Sequence, residues 1–295
     1  MIRARRRVPP RTGARGGAID RHGPARRPGR MAAYDFSAPR LFLDVPMAEG
    51  VVHGLDRAQA NYLLGVLRRG EGDGVLVFNG RDGEWWAEIR PTGRKAGDLV
   101  LRRRTRPQTE PGDLHYLFAP LKAARLDYVA QKAVEMGASL IRPVITRRTQ
   151  GDRIKLDRLR ANAVEAAEQC GILAIPEIAE AAPLTEALAA LEADRLLVFC
   201  DEDAPVRDPV AALRQGVARP PAGAGRGGNV PLPLAVVIGP EGGFTPEERA
   251  LILERPTTIR LSLGPRILRA DTAAVAVLAL VQAVLGDARG EPPAP

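Results

Sequence analysis

The chain has 295 residues, 45% of them hydrophobic and 26% charged, the balance of a soluble globular protein with room for about two domains. Two cysteines, Cys170 and Cys200, allow neither a disulfide framework nor a four-cysteine zinc site. His22, His53 and His115 share no metal-ligand spacing, and no apolar run is long enough for a membrane span or secretory signal, so no metal, no membrane and a cytoplasmic location are expected.

The net charge of +8 is local. Residues 1–30 hold ten arginines and one acid, Asp20; the rest has 33 basic and 34 acidic groups. The high isoelectric point is therefore no argument for nucleic-acid binding. Rich in Gly, Pro and Arg and without apolar period, residues 1–30 read as a disordered or misannotated extension, with Met31 as the start preferred over a functional basic tail.

Residues 34–105 read as a small β-rich domain. Leu41–Val45 is a strand candidate, and Asp56 with Gln59 forms a capping-box pattern. The helix it opens places Leu63, Val66 and Leu67 on one side and ends at Arg68 and Arg69. Val75–Phe78 and Glu84–Arg90 flank a turn with Asn79, Gly80, Asp82 and Gly83, a hairpin signal. Trp85 and Trp86 point to opposite faces of a strand, where packing is weighed against base stacking. Another strand begins at Leu99 and runs into Arg102, Arg103, Arg104 and Arg106. Residues 106–113 read as a linker.

From 114 to 287 the pattern alternates strand and helix. Leu114–Ala119, Leu140–Ile145, Ile175–Ile178 and Leu196–Cys200 are strand candidates. Helices over 122–136, 155–170 and 184–193 separate them, the first with Leu126, Val129, Ala133 and Met136 at helical spacing and Gly137 as terminator. This is an α/β domain with a mostly parallel sheet. Residues 201–233, rich in Pro, Gly and Ala, read as a flexible surface loop, and 288–295 as a tail.

Two glycine loops carry the functional signal. Strand Leu234–Ile238 leads into Gly239, Pro240, Glu241, Gly242 and Gly243, then Thr245, Pro246 and Glu248 open a helix. The loop has neither the phosphate-loop nor the dinucleotide-loop spacing. A strand near Ile259–Leu261 leads into Leu263, Gly264, Pro265, Arg266, Ile267, Leu268 and Arg269, and an apolar helix starts near Asp271. Its apolar faces mark a core or subunit-interface helix. Arg266 and Arg269 could contact phosphate, polarise a base carbonyl, or pair with Glu241 or Asp271.

Five ordered blocks resemble the RsmE family of knotted SPOUT methyltransferases: VLR at 66–68, LDYVAQKAVEMGA at 126–138, EAAEQCG at 165–171, IGPEGG at 238–243 and LGPRILRADTA at 263–273. The resemblance, over residues 34–286, implies a SPOUT-type α/β domain with a deep trefoil knot preceded by a PUA-like RNA-binding β-barrel. It implies a homodimer that uses S-adenosyl-L-methionine to methylate N3 of a uridine in the decoding region of bacterial 16S rRNA, on assembled small subunits. It places cofactor contacts at Leu197, Val198, Phe199, Cys200, Ile238, Gly239, Pro240, Glu241, Gly242, Gly243, Leu261, Ser262, Leu263, Gly264 and Leu268. Arg269, Glu241 and Arg266 are the catalytic candidates. Arg68, Arg69, Arg125, Lys132, Arg266 and Arg269 are the RNA-binding candidates. The chain departs from the family at Ile172, Ala270 and Asp271. Cys170 and Cys200 are expected to pack rather than react. The rival reading is a noncatalytic RNA-binding or ribosome-assembly protein.

Overall fold

The computed structural model describes residues 38–150, 154–217 and 232–286; the segment 1–30, Met31, the stretch 218–231 and the tail 288–295 lie outside the described residues.

The N-terminal body is built on short-range signals. Strands β1 (Arg40–Phe42), β2 (Val52–Gly54), β3 (Gly74–Phe78), β4 (Glu84–Gly93) and β5 (Ala96–Arg106) form one sheet in the order β1-β3-β4-β5-β2. Only β1 and β3 pair in parallel. The β3–β4 turn is fixed by Asn79, whose Oδ1 accepts from the amides of Arg81 and Asp82 at 2.9 and 2.8 Å. Gly83 closes it at φ 81°, where a Cβ would lie 2.3 Å from the Arg106 carbonyl oxygen. Register shifts in the β4–β5 pair beside Trp85 and Trp86 bend the sheet. Trp85 packs with Leu41, Val75, Ala87, Ile89 and Leu101, while Trp86 covers Gly74 on the other face. Both rings therefore serve packing.

The predicted helix after Asp56 is corrected in its second half. The capping box forms, with Gln59 N–H donating to Asp56 Oδ1 at 2.8 Å and Asp56 N–H to Gln59 Oε1 at 3.0 Å. Helix α1 (Arg57–Ala60) then widens into a π-helical turn, Asn61–Val66, closed by Leu67 N–H on Tyr62 O at 2.9 Å. The wider turn breaks the 3.6-residue register. Leu63 is buried in the sheet's core, while Val66 and Leu67 are exposed.

The C-terminal body alternates elements as the apolar runs predict. In chain order these are β6 (Leu114–Phe118), α2 (Ala123–Glu135), β7 (Leu140–Ile145), α3 (Leu156–Cys170), β8 (Glu177–Ile178), β9 (Ala182–Pro183) and α4 (Leu184–Ala189), followed by β10 (Leu196–Cys200), α5 (Pro209–Val217), β11 (Leu234–Ile238), α6 (Pro246–Leu253), β12 (Thr258–Leu261) and α7 (Ala270–Val284). All pairings are parallel, in the order β12-β10-β11-β6-β7-β8, with β9 beside the end of β7. Helices cover both faces, so the central strands are apolar on both sides. Val198, Val236 and Tyr116 face α2, α3 and α7, and Leu197, Val237 and Leu117 face α4 and α6.

Residues 209–217 correct the flexible-loop expectation for 201–233. Asp208 Oδ1 accepts from Val210 and Ala211 N–H at 2.9 and 3.2 Å, Pro209 occupies the first turn, and Ala212 and Leu213 are buried. Gly216 fits against Ile259, whose Cδ1 would lie 2.3 Å from a Cβ there. Proline and glycine that read as loop punctuation are thus a helix start and a close contact.

The two sheets meet through α3. Phe42 N–H donates to Glu168 at 2.8 Å, and Phe42 packs edge-on against Phe78 at 5.7 Å between ring centroids. Arg106 Nη2 bonds both the Gly171 carbonyl at the end of α3 and the fully buried Glu84, at 2.8 and 2.9 Å. Burial raises the Glu168 pKa, with the Phe42 amide opposing it.

Candidate functional site

In an open parallel sheet the ligand crevice lies at the carboxyl ends of the strands, where chain direction switches. Here β6 is the switch: β7 follows on one side and β11 returns on the other. The carboxyl ends of β10, β11 and β12 lie side by side, and three loops leave from them: Cys200 and Asp201, Gly239–Gly243, and Ser262–Leu268.

The predicted cofactor residues divide by depth. Leu197, Val198 and Phe199 are fully buried in the two core layers and form the floor beneath the loops. Ile238 and Leu261 are likewise core, and Ser262 is buried. Cys200, at the end of β10, has its thiol pushed up to about 12 by burial, in keeping with a packing role. Cys170 is exposed, at the far end of α3, and its thiol is also raised by partial burial.

The glycine loops lie open. Glu241 and Gly242 are exposed, Gly243 turns the chain at φ 69°, and Gly264 does so at φ 97°. Gly239 faces the Phe244 ring, which would stand 2.8 Å from a Cβ. Thr245 and Glu248 close the capping box of α6, with Glu248 N–H on Thr245 Oγ1 at 3.3 Å and Thr245 N–H on Glu248 Oε2 at 2.9 Å. The same Glu248 carboxylate accepts from Arg147 N–H at 2.7 Å, and Arg148 Nη1 bonds the Gly242 carbonyl at 2.7 Å, so the end of β7 anchors the loop. From Leu263 to Leu268, the backbone forms no hydrogen bond to other backbone groups among the described residues. Gly264 N–H reaches Ser262 Oγ at 3.4 Å.

Charge is arranged across these loops. Arg125, near the start of α2, is 3.5 Å from Glu241 and 3.8 Å from Asp271. This one cation ties both predicted carboxylates. Arg269 is the N-cap residue of α7 and exposed, and Arg266 is exposed on the preceding turn. Neither forms an ion pair or side-chain hydrogen bond among the described residues. Lys132 lies two turns along α2 from Arg125, gripped by both oxygens of Glu135 at 2.7 Å, an ion pair that raises its pKa. Arg68 and Arg69 lie in the N-terminal body, just after the π-helical turn, and are not part of the crevice.

One site group escapes a reading of the sequence. Asp201, the first residue beyond β10, is buried and accepts from Arg260 Nε at 2.7 Å and from Arg249 Nη2 at 3.0 Å. Burial alone would raise its pKa, but hydrogen bonds from Arg260, Arg249 and the Asp203 amide outweigh it, and the carboxyl titrates below its usual range. Its partners lie 48 and 59 residues away, so no local pattern announces it.

The chain is similar to known proteins in sequence and in fold. A family model described as an RNA methyltransferase domain matches residues 108–282, and one described as an RNA methyltransferase PUA domain matches residues 55–102. A ribosomal RNA small subunit methyltransferase E of Synechocystis is 32% identical over 239 residues, covering 78% of this chain and 73% of that protein. The chain belongs to the ribosomal RNA small subunit methyltransferase E family. The Rickettsia conorii member is 28% identical and covers 82% of this chain and 94% of its own. Among solved structures, a Legionella pneumophila protein in complex with S-adenosylmethionine superposes with a TM-score of 0.69 at 27% identity, over 83% of this chain and 97% of that one. The Neisseria gonorrhoeae family member shares the fold, with a TM-score of 0.71 over 85% of this chain. The α/β body with its parallel sheet is therefore of the SPOUT type, preceded by a PUA domain.

Proposed function

We propose that this chain transfers the methyl group of S-adenosyl-L-methionine to N3 of a uridine in the decoding region of small-subunit 16S rRNA, acting on assembled subunits. The observation that carries the reading is that three strand ends lie side by side and the loops leaving them carry Arg266 and Arg269, both exposed and without an ion pair or side-chain hydrogen bond among the described residues.

The crevice suits the cofactor. Among the described residues the backbone from Leu263 to Leu268 is held by no other backbone group, which leaves it able to hold an adenine edge and an amino-acid head, and half-buried Leu263 and Leu268 offer apolar contact. When bound, S-adenosylmethionine supplies an electrophilic methyl group on its sulfonium. The chain must then make uridine a nucleophile. N3 of uracil carries a proton and attacks only as that proton leaves. Glu241, exposed at the loop tip, is the proposed acceptor. Arg269 and Arg266 stabilise the negative charge spreading over N3 and the flanking carbonyl oxygens. Glu241, Arg266 and Arg269 would thus present a deprotonated N3 to the methyl group that the bound cofactor would supply, the cofactor leaving as its neutral thioether. Incubation with labelled cofactor and unmodified small subunits should yield labelled 3-methyluridine, read by nucleoside analysis. Folded, cofactor-binding protein that leaves the RNA unlabelled would refute the reading.

The working unit is proposed to be a homodimer. One face of α7 buries Ala274, Val277, Leu278 and Val281; its outer face carries Thr272, Ala276 and Ala279, with no charge to favour solvent. Solution mass should correspond to two chains at working concentration. A fully active monomer across the concentration series would exclude an obligatory dimer.

A further inference from the structure

The seam between the two bodies is only partly apolar. Phe78 of β3 lies within the core of the C-terminal body, with Phe42 of β1 packed edge-on against it. The rest of the seam is ionic. Glu84, the first residue of β4, is wholly buried. Its carboxylate accepts from Thr105 Oγ1 at 2.8 Å, from Arg106 Nη2 at 2.9 Å and Nε at 3.2 Å, and from Arg40 Nε at 3.4 Å. Arg106 also reaches across the seam, where the same Nη2 donates to the Gly171 carbonyl at 2.8 Å. Two further bonds cross beside this fork, from Phe42 N–H to Glu168 at 2.8 Å and from Gln108 Nε2 to the Leu173 carbonyl at 3.4 Å. All three acceptors lie on the last turn of α3 or just beyond it. A buried carboxylate carries a desolvation cost that its ion pairs do little more than offset, and apolar side chains of similar volume often hold a seam as firmly. What the ionic network adds is direction. Its hydrogen bonds are satisfied together at one placement of the bodies, whereas apolar surfaces tolerate sliding. None of these residues is among the catalytic, cofactor or RNA-binding candidates.

We propose that Glu84 and Arg106, with Arg40 and Glu168, are positioning residues that fix the PUA domain on α3 and so select which uridine reaches the crevice. Whatever part of the subunit the PUA domain touches is thereby held at a set distance from the strand ends where the methyl group is transferred. A misplacement of about 1 Å, caused far from the chemistry, can slow a reaction about a hundredfold. A junction held by directional bonds therefore bears on the reaction without touching substrate. The inference rests on the rRNA-methylation reading and deepens it, by making the choice of uridine depend on the span between the bodies as well as on the crevice.

The test uses the full chain, assembled small subunits and cofactor carrying a labelled methyl group. Arg106→Lys keeps a cation for Glu84 but loses the planar fork that also holds the Gly171 carbonyl. Glu168→Ala removes the acceptor for Phe42 N–H, and Glu168→Gln restores one; this pair carries the test should Arg106→Lys not fold. Arg106→Lys and Glu168→Ala should each speed amide hydrogen exchange at Phe42, while β10 and β11 exchange as in the parent protein. Both should slow single-turnover methylation of bound subunits about tenfold and let label appear at uridines that the parent protein leaves unmodified. Cofactor affinity and solution mass should not change, and Glu168→Gln should behave as the parent protein. A residue that only stabilises the fold would lower the melting temperature without moving the label. Faster exchange with label confined to the parent's uridine overturns the proposal, whatever the rate. So does altered methylation with unchanged exchange, which would place these side chains at the RNA rather than at the junction, and so does parental behaviour in every variant. A parent protein that binds cofactor and subunits but leaves the RNA unlabelled refutes the rRNA-methylation reading instead.

Discussion

Arg269→Ala should lower single-turnover methylation by roughly 10²–10³-fold, the loss typical of removing one preorganised donor from a developing anion. Cofactor affinity, solution mass and melting temperature should barely change. The sequence leaves two roles open for this residue, stabilising the uridine anion or pairing with Glu241 or Asp271 to fix the loops. The structure assigns the pairing elsewhere: Arg125 stands 3.5 Å from Glu241 and 3.8 Å from Asp271. Arg269, exposed at the head of α7, has no protein partner among the described residues to lose. Its backbone, not its side chain, begins the helix, with Ala273 N–H on Arg269 O at 2.8 Å. Arg269→Lys keeps the charge without the planar fork, so partial recovery identifies an electrostatic role and none identifies bidentate contact. Near-normal methylation by Arg269→Ala would remove the residue from the catalytic machinery. A joint loss of cofactor affinity and dimer mass would make it a structural residue.

The contrast between Arg269 and Arg125 shows where the sequence is legible and where it stops. Strands buried on both faces are readable from composition: Leu196–Cys200 and Leu234–Ile238 fall where continuous apolar runs place them. The capping boxes at Asp56 and Thr245 are readable too, because all their groups lie within four consecutive residues. The turn after Ala60 is not. Spacing alone groups Leu63 with Val66 and Leu67, and only the π-helical backbone separates them. Helix α5 was hidden by its own proline and glycine. At the crevice the residue types are legible but their partners are not. Arg125 meets Glu241 across 116 positions of chain, and Asp201 meets Arg260 across 59. Periodicity describes a single element, whereas these pairs exist only because β10, β11, β12 and α2 are assembled in one sheet-and-helix layer.

Asp201→Ala should be the most destabilising substitution at the crevice, at about 3 kcal/mol, equivalent to roughly 6–12 °C in melting temperature for a chain of this size. The carboxylate is buried and holds Arg260 of β12 and Arg249 of α6 at 2.7 and 3.0 Å, with the Asp203 amide at 3.1 Å. Its own amide bonds Leu261 O at 2.9 Å. One side chain therefore pins the ends of β10 and β12 and the helix after the first glycine loop. Removing it leaves two neighbouring arginines with only Asp203, whose carboxylate is 4.0 Å from Arg249, to offset their charge. Both keep about a third of their side-chain surface in solvent, which limits the penalty below that of a fully buried pair. Asp201→Asn retains the shape but not the charge and should fall between. The pH dependence has a definite sign. The folded pKa lies below the unfolded one, so the carboxylate's contribution is present above the unfolded value near 3.9 and is lost as pH falls through the folded value. The melting-temperature gap between the parent protein and Asp201→Asn should therefore be constant from pH 5 to 7 and close on further acidification. Because both glycine loops hang from the elements it joins, cofactor affinity measured at 25 °C should fall with stability in Asp201→Ala, unlike in Arg269→Ala. Equal melting of Asp201→Asn and the parent protein at pH 7 would show that the two arginines are held by the rest of the fold.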